Sequence, residues 1–167
     1  MIATQNVIAA TDGRQVQFQG LITRYIVGSE QTGGAFAIVE HELAPRALGA
    51  PLHTHEHEDE TSHVTAGRLG VQIGEDTVEL GAGDTVFKPR GIAHAFWNPG
   101  DEPVRFVEII TPGAFAGYFA DVEPILDVPG PPDVAALMTV MARYGLSSDP
   151  SSIGRLIAEH GLTTPGV

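Results

Sequence analysis

The chain has 167 residues, enough for one domain, with 43% hydrophobic residues to build a core and 18% charged ones. A formal net charge of −12, with only 9 basic residues and no short window that concentrates them, argues against a surface for nucleic-acid phosphate. The absence of cysteine excludes a disulfide framework, a thiolate zinc site and a thiol nucleophile. No apolar run approaches the ~20 residues of a membrane helix, and MIATQNVIAATDGRQ lacks the basic and apolar regions of a signal peptide. The expectation is a cytoplasmic protein with no nucleic-acid and no membrane partner.

From about residue 15 to residue 110 the pattern has period two and is broken by Gly, Pro and Asp at short intervals. RQVQFQGLITRYIV alternates, with Val16 and Phe18 on one face, and GGAFAIVEHEL follows a polar turn. RLGVQI places Leu69, Val71 and Ile73 together, Gly74-Glu75-Asp76 turns the chain and TVEL returns. GAGDTVFKPRG and VRFVEII add further short strands. Strands this short, with turns this regular, predict an antiparallel sandwich or small barrel.

After Thr111-Pro112-Gly113 the spacing turns helical. AFAGYFADVEPIL, PPDVAALMTVMARYGL and SDPSSIGRLIAEHGL are the predicted helical segments. Asp149 or Ser151 is the candidate N-cap of the last, and Gly161 stands past its final turn. The predicted organisation is a β body over residues 1–113 and a helical extension over 114–167 packed against it. DVPGPPD is the clearest linker.

The chemistry concentrates in HTHEHEDETSH, which holds His53, His55, His57 and His63 among acidic residues. Alternate residues of a strand face one side, so His53 and His55 can address a single ion. Glu60 opens the next β-like segment, and His94, in PRGIAHAFWN, arrives from far along the chain. Three neutral imidazoles and one carboxylate suit one divalent transition metal ion: Fe, Mn, Ni, Co, Zn or Cu.

These residues resemble the cupins. The first cupin motif, G-x5-H-x-H-x3/4-E-x6-G, is met by His53, His55, Glu60 and Gly67, within residues 49–67. The second, G-x5-P-x-G-x2-H-x3-N, is met by Gly83, Pro89, Gly91, His94 and Asn98, over residues 83–98. The one departure is Ala47, where the opening Gly would fall, with Gly49 and Pro51 in the turn instead. The resemblance covers about residues 35–112. It implies an all-β core, a double-stranded β-helix (cupin or jelly-roll barrel) with a C-terminal helical tail. It also implies His53, His55, Glu60 and His94 as inward-facing metal ligands, and pairing of two chains as a homodimer.

Neighbouring side chains divide by parity. His63 lies three residues past Glu60 and turns to the opposite face. His57 sits in an acidic loop and reads as solvated, while Glu56, Glu58 and Asp59 face solvent or stand behind a ligand imidazole. Ser62 and Val64 share the parity of Glu60, leaving room beside the ion. Phe96 shares that of His94 and predicts an apolar pocket wall, whereas Trp97 points the other way into core. Glu108 reads either as a pocket acid or base or as an exposed strand carboxylate, the latter preferred.

Four protein ligands leave one or two positions for water, a small-molecule substrate or O2. An ion there acts as Lewis acid or brings O2 and substrate together, and Glu60 is the expected catalytic base. H-x-H-x-x-x-D-E followed by the TPGAFAGYFADV tail is similar to small cupins related to quercetin 2,3-dioxygenase. That implies ring opening of a flavonol-like or other enolisable molecule by O2. Ser62, His63 and Thr65 stand where that group has large apolar and aromatic residues. A non-redox isomerase or cyclase, or a non-catalytic small-molecule-binding cupin, fits the same ligands.

Overall fold

The computed structural model describes residues 7–163. Residues 1–6 of the N-terminal segment read for a leader, and 164–167 of the helical extension, lie outside the described residues. Ten strands come first: β1 (Gln15–Phe18), β2 (Leu21–Val27), β3 (Ala37–Leu43), β4 (Leu48–His55) and β5 (Asp59–Ala66), then β6 (Arg68–Ile73), β7 (Asp76–Gly81), β8 (Thr85–Lys88), β9 (His94–Trp97) and β10 (Val104–Thr111). Helices α1 (Gly117–Leu126), α2 (Val134–Arg143) and α3 (Ser152–His160) follow, with an eleventh strand, β11 (Leu146–Ser148), between α2 and α3.

The strands form two antiparallel sheets, ordered β1-β2-β3-β10-β5-β8 and β11-β4-β9-β6-β7. Their facing sides make the core, because alternate side chains point inward. Ala37, Val39, His41 and Leu43 of β3 are buried, as are Val104, Phe106, Glu108 and Ile110 of β10. Val16 and Phe18 are buried as their alternation predicts, and so are Leu69 and Val71, with Ile73 half-buried beside them. Gly67 makes the β5–β6 turn at φ 79°, where a Cβ would come within 2.9 Å of the Pro103 carbonyl oxygen. That motif glycine therefore meets both a left-handed backbone and a tight contact.

The extension corrects one expectation: it is not wholly helical. Leu146–Ser148 pairs with β4 in the register Leu146↔His55, Ser147↔Thr54 and Ser148↔His53. Three residues are too few to show a period, and the strand exists because the edge of β4 supplies hydrogen-bonding partners. Asp133 caps α2 by accepting from the Ala136 amide at 3.0 Å. Before α3, Asp149 accepts from both the amide and the hydroxyl of Ser151, while Ser151 itself makes no side-chain cap bond. Gly161 ends that helix at φ 61°, as expected. Helix α3 covers the outer side of the five-stranded sheet, where Leu156 and Leu162 cluster with Leu48, Ala95 and Trp97. Trp97 faces away from the barrel interior and stacks on His160 at 4.0 Å.

Candidate metal centre

Strands β4 and β9 are hydrogen-bonded neighbours with His53 opposite His94, and β5 crosses to them from the other sheet. One donor atom from each of His53, His55, Glu60 and His94 falls within 4.8 Å of the other three. His55, Glu60 and His94 are buried and His53 is half-buried, so the approach from solvent is at His53.

Each imidazole is held from behind. The Nδ1 of His53 donates to the Pro51 carbonyl at 2.9 Å, and that of His94 to the Ile92 carbonyl at 3.2 Å. Behind His55, the Glu58 carboxylate lies 3.6 Å from Nδ1. The two carbonyls fix the rings of His53 and His94 so that Nε2 is the nitrogen offered to an ion. Both ring nitrogens of His55 are buried without a hydrogen-bond partner in the protein. A buried polar atom left so is costly, and a bound ion at Nε2 would satisfy it. Burial, together with neighbouring His94 and His55, holds the His53 imidazole well below its ordinary value, hence neutral and ready to ligate. The residues fit a divalent ion.

The carboxylate side is more elaborate. Glu60 Oε1 lies 3.5 Å from His55 Nε2, and Oε2 lies 3.3 Å from His94 Nε2. Lys88 Nζ donates to Glu60 Oε2 at 2.8 Å and lies 2.7 Å from Glu108 Oε1. Ser62 donates to that same Glu108 oxygen at 2.8 Å, and Glu108 Oε2 lies 3.5 Å from His41 Nε2. His41 Nδ1 in turn hydrogen-bonds the Thr23 hydroxyl at 2.9 Å. All eight of these side chains are buried.

Burial alone would raise both carboxyls and lower the ammonium; the opposite charges outweigh it. Glu60 is held well below the carboxylate range by Lys88 and the histidines. Glu108 is also lowered, by Lys88 and His41, despite burial and the charge of Glu60. The two carboxylates keep Lys88 charged.

Other expectations resolve here. Glu108 is 2% exposed, against the preferred reading of a solvated strand carboxylate: its parity on β10 is that of Phe106 and Ile110. Ser62 faces inward but is engaged by Glu108 rather than lining open space. His57 is exposed and outside the cluster, and His63 turns outward to Thr85. Of the acidic neighbours, Glu56 is exposed and Glu58 stands behind His55. Asp59 pairs with Arg90, whose hydrogen bonds pull its carboxyl down to about 2. Phe96 is buried inside the barrel against Phe106, with Lys88 Nζ 5.6 Å from its ring centre.

Lys88, His41 and Thr23 were not among the expected site residues. One signal was present: in TVFK, Val86 and Lys88 share parity, while Phe87 between them is 56% exposed. The extension contributes too. The Phe115 ring meets that of His55 at 4.3 Å, edge to face, and Tyr118 and Tyr144 pack on Phe115.

Two antiparallel sheets with helices after them define the class: the fold is the cupin β-sandwich, with the His/Glu cluster carried on β4, β5 and β9. Residues 39–110 match the family described as Cupin domain. A germin-like protein 3-7 from Oryza sativa subsp. japonica is 32% identical over 99 residues, 52% of this chain and 42% of that protein. The chain thus spans less than half the length of that relative. A sugar phosphate isomerase from Silicibacter pomeroyi has the same fold at TM-score 0.56 and 21% identity, over 63% of this chain and 74% of its own. A predicted oxalate decarboxylase from Thermotoga maritima superposes at TM-score 0.57 and 21% identity, over 64% and 98%. Among the described residues no helix is long and apolar enough to cross a membrane.

Proposed function

We propose that this cupin is a metal-dependent enzyme, a dioxygenase acting on a flavonol-like or other enolisable small molecule. The observation that carries the reading is the buried convergence of His53, His55, Glu60 and His94, with His55 Nε2 left without a partner in the protein. A divalent ion held by these four would supply Lewis-acid polarisation of a substrate oxygen and, when redox-active, activation of O2.

The protein's own groups do the rest. His53 is held neutral by its burial, and the rings of His53 and His94 are fixed by backbone carbonyls. Glu60 is held ionised by Lys88, so its carboxylate can accept a proton from an enol hydroxyl. Phe115, with Tyr118 and Tyr144 behind it, shields the His55 side from water and favours a flat, apolar substrate body. This aromatic wall comes from the extension.

The test is elemental analysis of protein purified without added metal, followed by oxygen-electrode assays with quercetin and simpler enols. Stoichiometric metal and O2 consumption coupled to enol loss are expected. Conversion without O2 uptake would replace the dioxygenase by an isomerase or cyclase. Tight binding with no turnover would make it a binding cupin.

A further inference from the structure

Lys88 is the unusual member of the centre. A buried ammonium is costly unless it is fully paired, and this one is placed between two carboxylates that are themselves buried. It takes Glu60 on Oε2 only, at 2.8 Å, leaving Oε1 turned towards His55 Nε2. Glu108 ties Lys88 from behind at 2.7 Å. Glu108 is in turn fixed by Ser62 and His41, and His41 by Thr23. The line therefore runs through β2, β3, β10, β5 and β8, and every strand of the six-stranded sheet except β1 contributes to it.

With neutral imidazoles, Glu60, Lys88 and Glu108 sum to one negative charge. Without Lys88 two adjacent buried carboxylates would repel, and Glu60 would keep only the histidines as partners, with no countercharge from the lysine. Resting on the metal-site reading above, we propose that Lys88 is a positioning residue. It is a resident cation that holds Glu60 by one oxygen, so that the ligand set is assembled before the ion arrives and Glu60 meets the ion through Oε1 alone.

The experiment uses the full chain as wild type, Lys88→Met and Glu108→Gln, each stripped with a chelator and titrated with Co(II). Visible absorption of cobalt reports coordination, and thermal melting is followed with and without the ion. Wild type takes up cobalt with a moderate rise in Tm. Metal-free Lys88→Met melts lower and recovers much of the loss on loading. Its cobalt-induced rise is about twice that of wild type, because the ion replaces the missing charge. Its cobalt bands change in intensity as Oε2 becomes free to join Oε1. Glu108→Gln loosens Lys88 and moves the bands the same way by less.

A Lys88→Met protein with the wild-type cobalt spectrum, and an equal loss of Tm with and without cobalt, would make Lys88 an ordinary buried ion pair and overturn the proposal. Should Lys88→Met fail to fold, Glu108→Gln decides, and an unchanged spectrum there overturns it as well. A wild type that binds no cobalt sinks the metal-site reading itself, which is a separate outcome.

Discussion

The two sheets meet at one centre with different chemistry. The five-stranded sheet supplies all three imidazoles, His53 and His55 from β4 and His94 from β9. The six-stranded sheet supplies the linked charges: Glu60 from β5, Lys88 from β8 and Glu108 from β10. On the first sheet the candidate ligands are imidazoles, two of them backed by backbone carbonyls. On the second the one candidate ligand, Glu60, is braced by a line of side chains reaching Thr23. A neutral ligand needs only orientation, whereas a buried carboxylate also needs a countercharge for the time when no ion is present.

This contrast can be broken from either side. Glu108→Ala attacks the charged sheet and should cost about 3 kcal/mol in urea unfolding, since it leaves Lys88 with one partner fewer and a gap in the core. Metal affinity in that variant should change far less than in the next. His55→Ala attacks the imidazole sheet and should weaken metal binding by about 100-fold or more, read by competition with a chelator. Retained affinity would remove His55 from the ligand set.

Acid unfolding of the metal-free protein separates the two sheets by pH. His53 is lowered from 6.5, so the folded state binds fewer protons than the unfolded one, and its contribution fades as pH falls below 6.5. Glu60 and Glu108 are lowered from 4.5; their contribution is complete above that value and is lost as pH falls below it. Urea midpoints should therefore decline in two stages on the acid side. A midpoint independent of pH from 7 to 4 would contradict both assignments, and loading with metal should suppress the first stage. The smallest effect is expected from His57→Ala, which should alter stability by less than about 0.5 kcal/mol and leave metal content at the wild-type level. His57 is exposed and outside the cluster.

Strand parity and motif spacing made the imidazole sheet legible. His53, His55 and His94 each stand at fixed motif positions, and the alternation around Glu60 placed Ser62 inward and His63 outward as observed. The charged sheet was harder to read. In VRFVEII both faces carry apolar residues, so Glu108 had no polar-out pattern to orient it. A strand lysine ordinarily points to water, and Lys88 was concealed by an inverted pair, with Phe87 outside and Lys88 inside. Its register opposite Glu60 exists only once β5 and β8 have paired. His41 and Thr23 lie in alternating strands where either face is chemically plausible. Their role depends on tertiary neighbours from β10, which no local window contains.

The short strand β11 has a consequence for the chain as a whole. It lies against β4 along His53–His55, so the strand that carries two ligands is not the open edge of its sheet. An uncovered β4 would offer free amides and carbonyls to any other extended chain, a template for edge-to-edge aggregation. This three-residue strand is thus a guard on solubility, lying alongside His53–His55. A version ending before Leu146 would expose its ligand strand to self-association.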